Sequence, residues 1–191
     1  DLKMEFLHPN PNLPPVETSE ANTDYEPAFE GQTRAPGLKT ETAYESQVVS
    51  DELSAPWGIE TLPDGRLLIT EKAGQMRIFN PETNVLSDQI TGILEVDDAG
   101  QGGLLGVAID PDFSSNRMVY WVFSERVADG NHSAVAKGKL SEDESTIENA
   151  QVIYRSTPTY NGDKHYGGRV VFDPKGNLFV SIGERSDKGI R

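Results

Sequence analysis

The sequence predicts an all-β protein built from repeated antiparallel sheets. From about residue 44 onward, short runs rich in Val, Ile, Leu, Tyr and Phe alternate with turn-forming residues, which is typical of β-strands joined by tight turns. No segment keeps the 3.6-residue apolar period of an amphipathic helix. A unit of strand, proline-containing turn and strand occurs three times, with its prolines at Pro63, Pro111 and Pro174.

The spacing of this repeat predicts the architecture. The prolines are 48 and 63 residues apart, close to the length of one four-stranded propeller blade with insertions. Each copy of the repeat begins with a glycine, at Gly58, Gly106 and Gly168. We therefore expect a β-propeller of four-stranded antiparallel blades, with about two and a half blades in residues 44–191. A propeller closes with about 4–8 blades, so we expect the chain to end in mid-blade and the remaining blades to come from the rest of a longer polypeptide.

Turn signals divide the body into nine predicted strands. They are Trp57–Thr61, Arg66–Thr70, Met76–Asn80, Leu104–Asp110, Met118–Ser124, Ala134–Leu140, Ala150–Arg155, Arg169–Asp173 and Leu178–Ile182. The connections carry Pro, Asp, Asn and Gly, as in residues 63–65 and 174–177. Residues 110–116 superficially resemble a calcium-binding loop, but the loop glycine is missing and Trp121 stands where a bidentate glutamate belongs, so a turn is expected. Residues 141–147 are predicted to form a polar hairpin loop.

Residues 1–43 differ in texture from the body. Six of the 12 prolines lie between Pro9 and Pro36, acidic residues are scattered among them, and no apolar period persists. This composition predicts a Pro-rich acidic N-terminal arm or linker with little core of its own. The alternative is an arm that wraps around the body. Its anchors would be Phe6, Leu7, Tyr25 and Phe29.

Composition excludes several classes of function. The chain has 31 acidic residues against 17 Lys and Arg, a formal net charge of -14, whereas nucleic acids and anionic membrane surfaces require a clustered basic face. The absence of Cys excludes disulfides, Cys-ligated zinc, iron–sulfur clusters and a thiol nucleophile. No run of about 18 apolar residues is present, so no membrane span is predicted. No signal peptide opens the chain, which fits a cytoplasmic protein or one already processed.

The last predicted hairpin brings a histidine and a carboxylate to the same end. His165 lies just before the strand that begins near Gly167, and Glu184 lies just after the strand that ends at Ile182. Residues equidistant from a hairpin turn face each other, so a turn centred on residues 175–176 would place Gly167 opposite Glu184. A carboxylate there can accept a hydrogen bond from one imidazole N–H, which leaves the other nitrogen as a base near neutral pH. A surface histidine in a turn is the alternative interpretation.

A glycine-rich segment, residues 99–106, brings Gln101 to the start of a strand. Its four glycines leave room for backbone N–H groups and the Gln101 carboxamide at the mouth of that strand. The segment lacks the Lys-Ser/Thr pair of a P-loop and the strand–turn–helix context of a dinucleotide fold. A tight turn between blades is the other interpretation.

Four segments follow one another along the body: Gly-Gln-Gly-Gly-Leu-Leu-Gly at 100–106, Pro-Asp-Phe at 111–113, His-Tyr-Gly-Gly-Arg at 165–169 and Gly-Glu at 183–184. In this order and at this spacing they resemble the soluble pyrroloquinoline-quinone (PQQ) dependent sugar dehydrogenases, a family of six-bladed propellers. The resemblance covers the body and leaves out the arm. The final glutamate is closer to the aldose sugar dehydrogenase branch than to the soluble glucose dehydrogenase branch, which has an aspartate there.

The resemblance implies a quinoprotein oxidoreductase that oxidises the anomeric hydroxyl of an aldose to the lactone, with hydride transfer to PQQ. It implies that His165 is the catalytic base, that Glu184 orients it, and that Gln101 lies near both the cofactor and the reacting hydroxyl. The protein would supply base, orientation and electrostatics, and PQQ the redox chemistry. Ca²⁺ ligands and the basic residues that hold the quinone's carboxylates are implied in later blades, so no metal ligand is assigned to this chain. An electron acceptor (a dye, a quinone or a cytochrome) and a periplasmic or secreted location are also implied.

Two functions from other classes stay open at this point. One is a non-catalytic propeller that binds a ligand or a protein, with His165 in a structural role. The other is a metal-dependent hydrolase of sugar lactones, which would hold its metal with carboxylates and Asn at the central channel.

Overall fold

The structure is a computed structural model that describes residues 17–20, 24–29, 32, 37, 42–187 and 189. The chain divides into two compact units, Asp1–Gln47 and Val48–Arg191. All of the described strands belong to the second unit. The one helix in the described part of the chain has four residues, so no described helix is long and apolar enough to cross a membrane.

The first unit, Asp1–Gln47, contains the whole of the predicted N-terminal arm. Its described residues form neither a helix nor a strand. Tyr25 and Phe29, two of the four anchors proposed for a wrapped arm, are exposed. The other two, Phe6 and Leu7, lie outside the described residues.

The second unit is almost entirely β-structure, as predicted. Its elements in chain order are β1 (Pro56–Thr61), β2 (Leu67–Glu71), β3 (Gln75–Asn80), β4 (Val85–Leu86), β5 (Leu104–Ile109), α1 (Phe113–Asn116), β6 (Met118–Val127), β7 (Gly130–Leu140), β8 (Ile147–Arg155), β9 (Gly167–Phe172) and β10 (Leu178–Ile182). All nine predicted strands are present. β6 and β7 extend further toward each other than predicted, because Val127 pairs directly with Gly130 across a two-residue turn.

These strands form two four-stranded antiparallel sheets and one two-stranded sheet. The order is β1-β2-β3-β4 in the first sheet and β5-β6-β7-β8 in the second, while β9 and β10 pair as a hairpin. Consecutive strands are neighbours throughout, so each sheet is a simple meander, which is the topology of a propeller blade. Because β5 contacts both β1 and β9, the first strands of the three sheets lie next to one another. The predicted blade architecture is confirmed.

The glycines of the repeat lie where these first strands approach each other. A Cβ on Gly58 would lie 2.7 Å from the carbonyl oxygen of Leu105 in β5. A Cβ on Gly106 would collide with the carbonyl oxygen of Gly168 in β9. The repeated glycine is therefore a spacing requirement, because any larger residue would push adjacent blades apart.

The hydrophobic core lies between successive sheets. One cluster of buried side chains joins Leu68 of the first sheet to Trp121 and Phe123 of the second. A second cluster joins Val122 of the second sheet to Val170 of β9. Side chains of β6 thus alternate between the two clusters, as the two-residue period of a strand requires. Both faces of the second sheet are covered, which explains why β6 is apolar at consecutive positions.

Two short elements were not predicted. β4 has two residues, too few to produce a recognisable pattern. Residues 113–116, predicted as part of a turn, form one turn of helix. The Asp110 carboxylate organises this segment by accepting hydrogen bonds from the N–H of Asp112 at 3.0 Å and from Nδ2 of Asn116 at 2.9 Å. That carboxylate is therefore engaged within its own loop.

The predicted register of the β9–β10 hairpin is wrong. Val180 pairs with Val170, so the turn centres on Lys175 and not between residues 175 and 176. A bulge then shifts the register again, and Gly167 pairs with Ile182 rather than with Glu184. The shift falls at Gly167 and Gly168, which have φ +78° and +107°, and this pair of glycines was the available sequence signal for a bulge.

Candidate active site

Three strand ends carry the candidate site residues. Gln101 precedes β5, His165 precedes β9, and Glu184 follows β10. Because β10 runs antiparallel to β9, the end of β10 and the start of β9 lie at the same edge of their sheet. β5 contacts β9, which brings Gln101 to that edge as well. All three residues singled out by the sequence therefore lie together.

His165 and Glu184 form a close pair. Nδ1 of His165 lies 2.6 Å from Oε1 of Glu184, and the two side chains are 45% and 33% exposed. A carboxylate at this distance accepts a hydrogen bond from Nδ1–H, which fixes the tautomer and leaves the lone pair on Nε2. No described residue hydrogen-bonds to Nε2. The arrangement presents a base nitrogen to whatever occupies the edge of the sheet.

Gln101 contacts the backbone of His165. Its side-chain carbonyl oxygen accepts a hydrogen bond from the His165 backbone N–H at 2.9 Å. The backbone N–H of Gln101 donates to the carbonyl of Asp163 at 2.7 Å. A Cβ on Gly100 would collide with the Asp163 side chain, so the two segments fit only with glycine at that position. The Gln101 side-chain oxygen is thus committed to His165, while its exposed amide group retains two N–H donors.

The glycines around His165 allow the segment that contains Gly183 to approach the segment that contains His165 very closely. Gly183 N–H donates to the carbonyl of Tyr166 at 3.1 Å, and a Cβ on Gly183 would collide with the His165 carbonyl oxygen. Gly167 has φ +78°, in the left-handed region that favours glycine. His165 itself has φ 48°, although it carries a side chain. The surroundings must hold His165 in this conformation, since a residue with a Cβ does not favour it.

A buried tyrosine supports the pair from beneath. Tyr166 is 2% exposed, its hydroxyl donates to the carbonyl of Gly162 at 3.1 Å, and its own carbonyl accepts from Oγ of Ser133 at 2.7 Å. Burial raises the pKa of the Tyr166 phenol, and the positive charge of Arg185 offsets only part of that rise. The phenol therefore stays protonated and serves as a donor.

Three further buried polar residues lie behind the pair, and the sequence analysis missed them. Arg185, Asn131 and Asp97 are 6%, 4% and 7% exposed and are linked by hydrogen bonds. Burial acts to raise the pKa of Asp97, but hydrogen bonds from Arg126, Asn131 and the Ala99 N–H outweigh it and hold that pKa below its ordinary value. The position of Arg185 directly after Glu184 was the one available signal.

Metal-binding geometry is absent from the described residues. Among them, no group of three or more His, Cys, Asp or Glu side chains is arranged to hold a metal ion. The site described above is instead a paired imidazole and carboxylate beside a carboxamide, a set of groups suited to moving a proton at a hydroxyl.

The fold and this site together define the class of protein: antiparallel propeller blades that carry a His–carboxylate pair at the ends of their strands. Residues 53–190 match the family model described as Glucose / Sorbosone dehydrogenase, and the chain belongs to that family. The aldose sugar dehydrogenase YliI of Escherichia coli (strain K12) is 38% identical over 144 residues, which are 74% of this chain and 38% of that protein.

Two solved structures share the fold. The soluble aldose sugar dehydrogenase of Escherichia coli in its apo form aligns with a TM-score of 0.71 at 36% identity, over 75% of this chain and 42% of that one. The PQQ-bound form of the aldose sugar dehydrogenase of Streptomyces coelicolor aligns with a TM-score of 0.63 at 30% identity, over the same shares of the two chains, 75% and 42%. The chain thus spans less than half the length of each of these relatives.

Proposed function

We propose that this chain carries the proton-transfer part of the active site of a PQQ-dependent aldose dehydrogenase. The observation that carries the proposal is the 2.6 Å contact between His165 and Glu184, which leaves Nε2 available beside Gln101. Membership of the glucose/sorbosone dehydrogenase family supports an aldose as the substrate class. The reaction would convert the anomeric C–OH of the sugar to the C=O of a lactone.

The proposed roles follow from the geometry of the pair. Nε2 of His165 accepts the proton of the anomeric hydroxyl as the C–H bond at the same carbon breaks and its hydride leaves. Nδ1 remains hydrogen-bonded to Glu184, so the imidazolium that forms faces a carboxylate and is stabilised by it. Gln101 fixes the backbone of His165 through its oxygen and offers its amide donors to substrate or cofactor oxygens.

The groups on this chain fit one side of a bound quinone. PQQ would supply the two-electron oxidant that accepts the hydride. The quinone's carbonyl oxygens require hydrogen-bond donors, and the Gln101 amide is a donor at this edge, next to the base. We propose that Ca²⁺ ligands and the basic residues that hold the quinone's carboxylates come from further blades of the propeller. We also propose a periplasmic or secreted location and an external electron acceptor.

Dye-linked activity tests this proposal. The protein expressed from its complete reading frame would be loaded with PQQ and Ca²⁺, and dye reduction measured with a panel of aldoses. We expect PQQ-dependent activity, and we expect His165→Ala to lower kcat by about 10²–10⁴-fold, because it removes a general base. The matched control is His132→Ala, which removes the histidine of a second His–Glu pair, at 2.7 Å, and leaves the proposed base intact.

Other outcomes would contradict the proposal. Activity of His165→Ala within about tenfold of the parent would show that the base is assigned to the wrong residue. Metal-dependent hydrolysis of sugar lactones without dye reduction would favour the hydrolase. Binding of a ligand or protein without turnover of any aldose would favour a non-catalytic propeller.

A further inference from the structure

We infer that Arg185 is a positioning residue, which holds the His165–Glu184 pair in register through a buried network that runs to Asn131 and Asp97. The inference rests on the proposed function for the catalytic role of the pair. The network itself is defined by contacts within this chain. Arg185 follows Glu184 directly, so its anchoring also fixes the backbone from which that carboxylate projects.

The guanidinium of Arg185 binds the segment that precedes His165. Nε donates to the carbonyl of Lys164 at 2.9 Å, and Nη2 donates to the carbonyl of Gly162 at 2.6 Å. The Arg185 backbone N–H donates to the carbonyl of His165 at 3.2 Å. One residue therefore takes up three carbonyls of the segment that ends at His165, and it does so from the position next to Glu184.

The buried surroundings of this side chain require an arginine to make these contacts. The residue is 6% exposed, and its guanidinium carbon lies 3.8 Å from the centre of the Tyr166 ring. All of its side-chain acceptors among the described residues are neutral. A planar guanidinium can stack on a ring while donating to acceptors in several directions, whereas a lysine ammonium at the same site would lose the fork and the stacking.

Asn131 connects this guanidinium to a carboxylate. Its Oδ1 accepts from Nη2 of Arg185 at 2.7 Å, and its Nδ2 donates to Oδ2 of Asp97 at 3.0 Å and to the carbonyl of Gly162 at 3.0 Å. The amide can satisfy a donor on one side and acceptors on the other in one orientation only. Arg185 and Asp97 are therefore linked through a side chain that cannot turn over without breaking three hydrogen bonds.

The Asp97 end of the network leads back to His165 by a second path. Asp97 lies in the segment that also carries Gln101, and its Oδ1 accepts from the Ala99 N–H at 3.4 Å. Gln101 in turn accepts from the His165 N–H. His165 is thus held at its N–H through the Asp97 side of the network and at its carbonyl by Arg185. This double hold accounts for a histidine backbone at φ 48°.

The ring nitrogens of His165 give a direct readout. The sequence contains three histidines, so long-range ¹H–¹⁵N spectra of the 191-residue chain are simple to assign. We expect the parent chain to hold His165 as the Nδ1–H tautomer. Arg185→Lys should relax the pair, and the His165 nitrogen shifts should move toward a mixture of the two tautomers. This measurement requires neither PQQ nor substrate.

Arg117 provides a control at the opposite end of the second sheet. Its Nε donates to the carbonyl of Leu140 at 3.0 Å, its Nη2 donates to that of Ser141 at 2.9 Å, and its guanidinium lies over the Phe113 ring at 5.7 Å. Arg117→Lys removes comparable contacts with carbonyls and a ring, together with a hydrogen bond to Glu144 at 3.3 Å, and it should leave the His165 signals unchanged. If both lysine variants lose comparable stability and only Arg185→Lys moves the tautomer, the inference holds.

The kinetic arm uses the PQQ-loaded protein from the complete reading frame. Arg185→Lys should lower kcat by at least about tenfold with little change in KM for the aldose, because the base is misplaced while the binding surface is kept. Should Arg185→Lys fail to fold, Asn131→Leu cuts the same network at similar volume and should shift the same signals. An unchanged His165 tautomer in a folded Arg185→Lys or Asn131→Leu variant would overturn the inference. Loss of the proposed function would instead appear as an inactive parent protein with the tautomer effect intact.

Discussion

Two histidine–glutamate pairs stand at hairpin ends of this protein, and they are built in opposite ways. His165 and Glu184 meet at 2.6 Å through Nδ1, while His132 and Glu125 meet at 2.7 Å through Nε2. The His165 side chain is 45% exposed, whereas that of His132 is 6% exposed. Contact distance alone therefore does not separate a candidate base from a structural histidine.

The nitrogen left over in each pair makes the difference. Nδ1 of His132 is buried and has no hydrogen-bond partner in the described part of the chain. A neutral imidazole that donates from Nε2 leaves an acceptor there, and an unpaired acceptor is less costly to bury than an unpaired donor. His132 can reach no substrate, whereas His165 presents its second nitrogen at an exposed edge. The comparison supports His165, and not His132, as the proposed base.

The glutamate of the buried pair is also bound by an arginine. Glu125 is held by Arg155 through two hydrogen bonds, at 2.6 and 2.9 Å, besides its contact with His132. The hydrogen bond from Arg155 lowers the pKa of Glu125 to about 2, burial opposes this, and the hydrogen bond from His132 adds to it. The contact of Glu125 with a permanently charged arginine contributes to stability, whereas the contact of Glu184 with an imidazole can respond to the protonation of that ring.

The largest expected effect compares the two carboxylates. Glu184→Gln keeps an oxygen to accept from Nδ1 but removes the negative charge that would stabilise the imidazolium formed during turnover, so kcat should fall by about 10²–10³-fold. Glu125→Gln should leave kcat of the folded protein within about threefold, since it acts on the buried pair. Steady-state dye reduction at saturating aldose measures both. Equal losses in the two variants would erase the distinction drawn between the pairs.

The next effect disturbs the exposed pair without touching either side chain. Gly183→Ala places a Cβ against the His165 carbonyl oxygen, and a backbone displaced by about 1 Å is expected to cost about 10²-fold in kcat. Gly183 does not have a positive φ, so the effect would come from the collision itself. Gly65→Ala is the control for a glycine-to-alanine change without a collision, because a Cβ at Gly65 meets nothing within 4 Å. Gly183→Ala with unchanged kcat, measured beside a melting curve that confirms folding, would contradict the close fit described for this loop.

The smallest effect is on acid stability and belongs to the buried pair. The pKa of Glu125 is near 2 in the native protein against an ordinary 4.5, so the unfolded chain takes up a proton first as the pH falls. The stability contributed by Glu125 is complete above about pH 4.5 and is lost between pH 4.5 and pH 2. Glu125→Gln should lower the unfolding free energy at neutral pH by about 1–3 kcal/mol and flatten its decline over that window. Urea unfolding at several pH values measures this, and parallel curves for the two proteins would refute it.

Most of the fold was predictable because the sequence repeats a local pattern. Runs of apolar residues bounded by Pro, Asp and Gly turns, with a glycine in each first strand, predicted nine of the described strands, with their ends displaced by at most four residues. The meeting of His165 and Glu184 was predictable for a related reason. Both lie just beyond the ends of paired strands, and so a register error of one or two residues still leaves them at the same edge.

The remaining features of the site depend on contacts between distant segments. Gln101 meets His165 across 64 positions of sequence, and Asn131 meets Arg185 across 54. No periodicity or turn signal distinguishes a buried arginine from an exposed one, since both occur among polar neighbours. The bulge in the last hairpin is a different case, because Gly167 and Gly168 mark it locally and the prediction of an unbroken register overlooked them.

The backbone of His165 carries a consequence for how this position can change over time. At φ 48° a glycine would be more comfortable than any other residue, by about 1 kcal/mol. Selection for thermal stability alone would therefore favour replacing this histidine with glycine. If His165 is the proposed base, its imidazole is retained at the cost of a less stable loop.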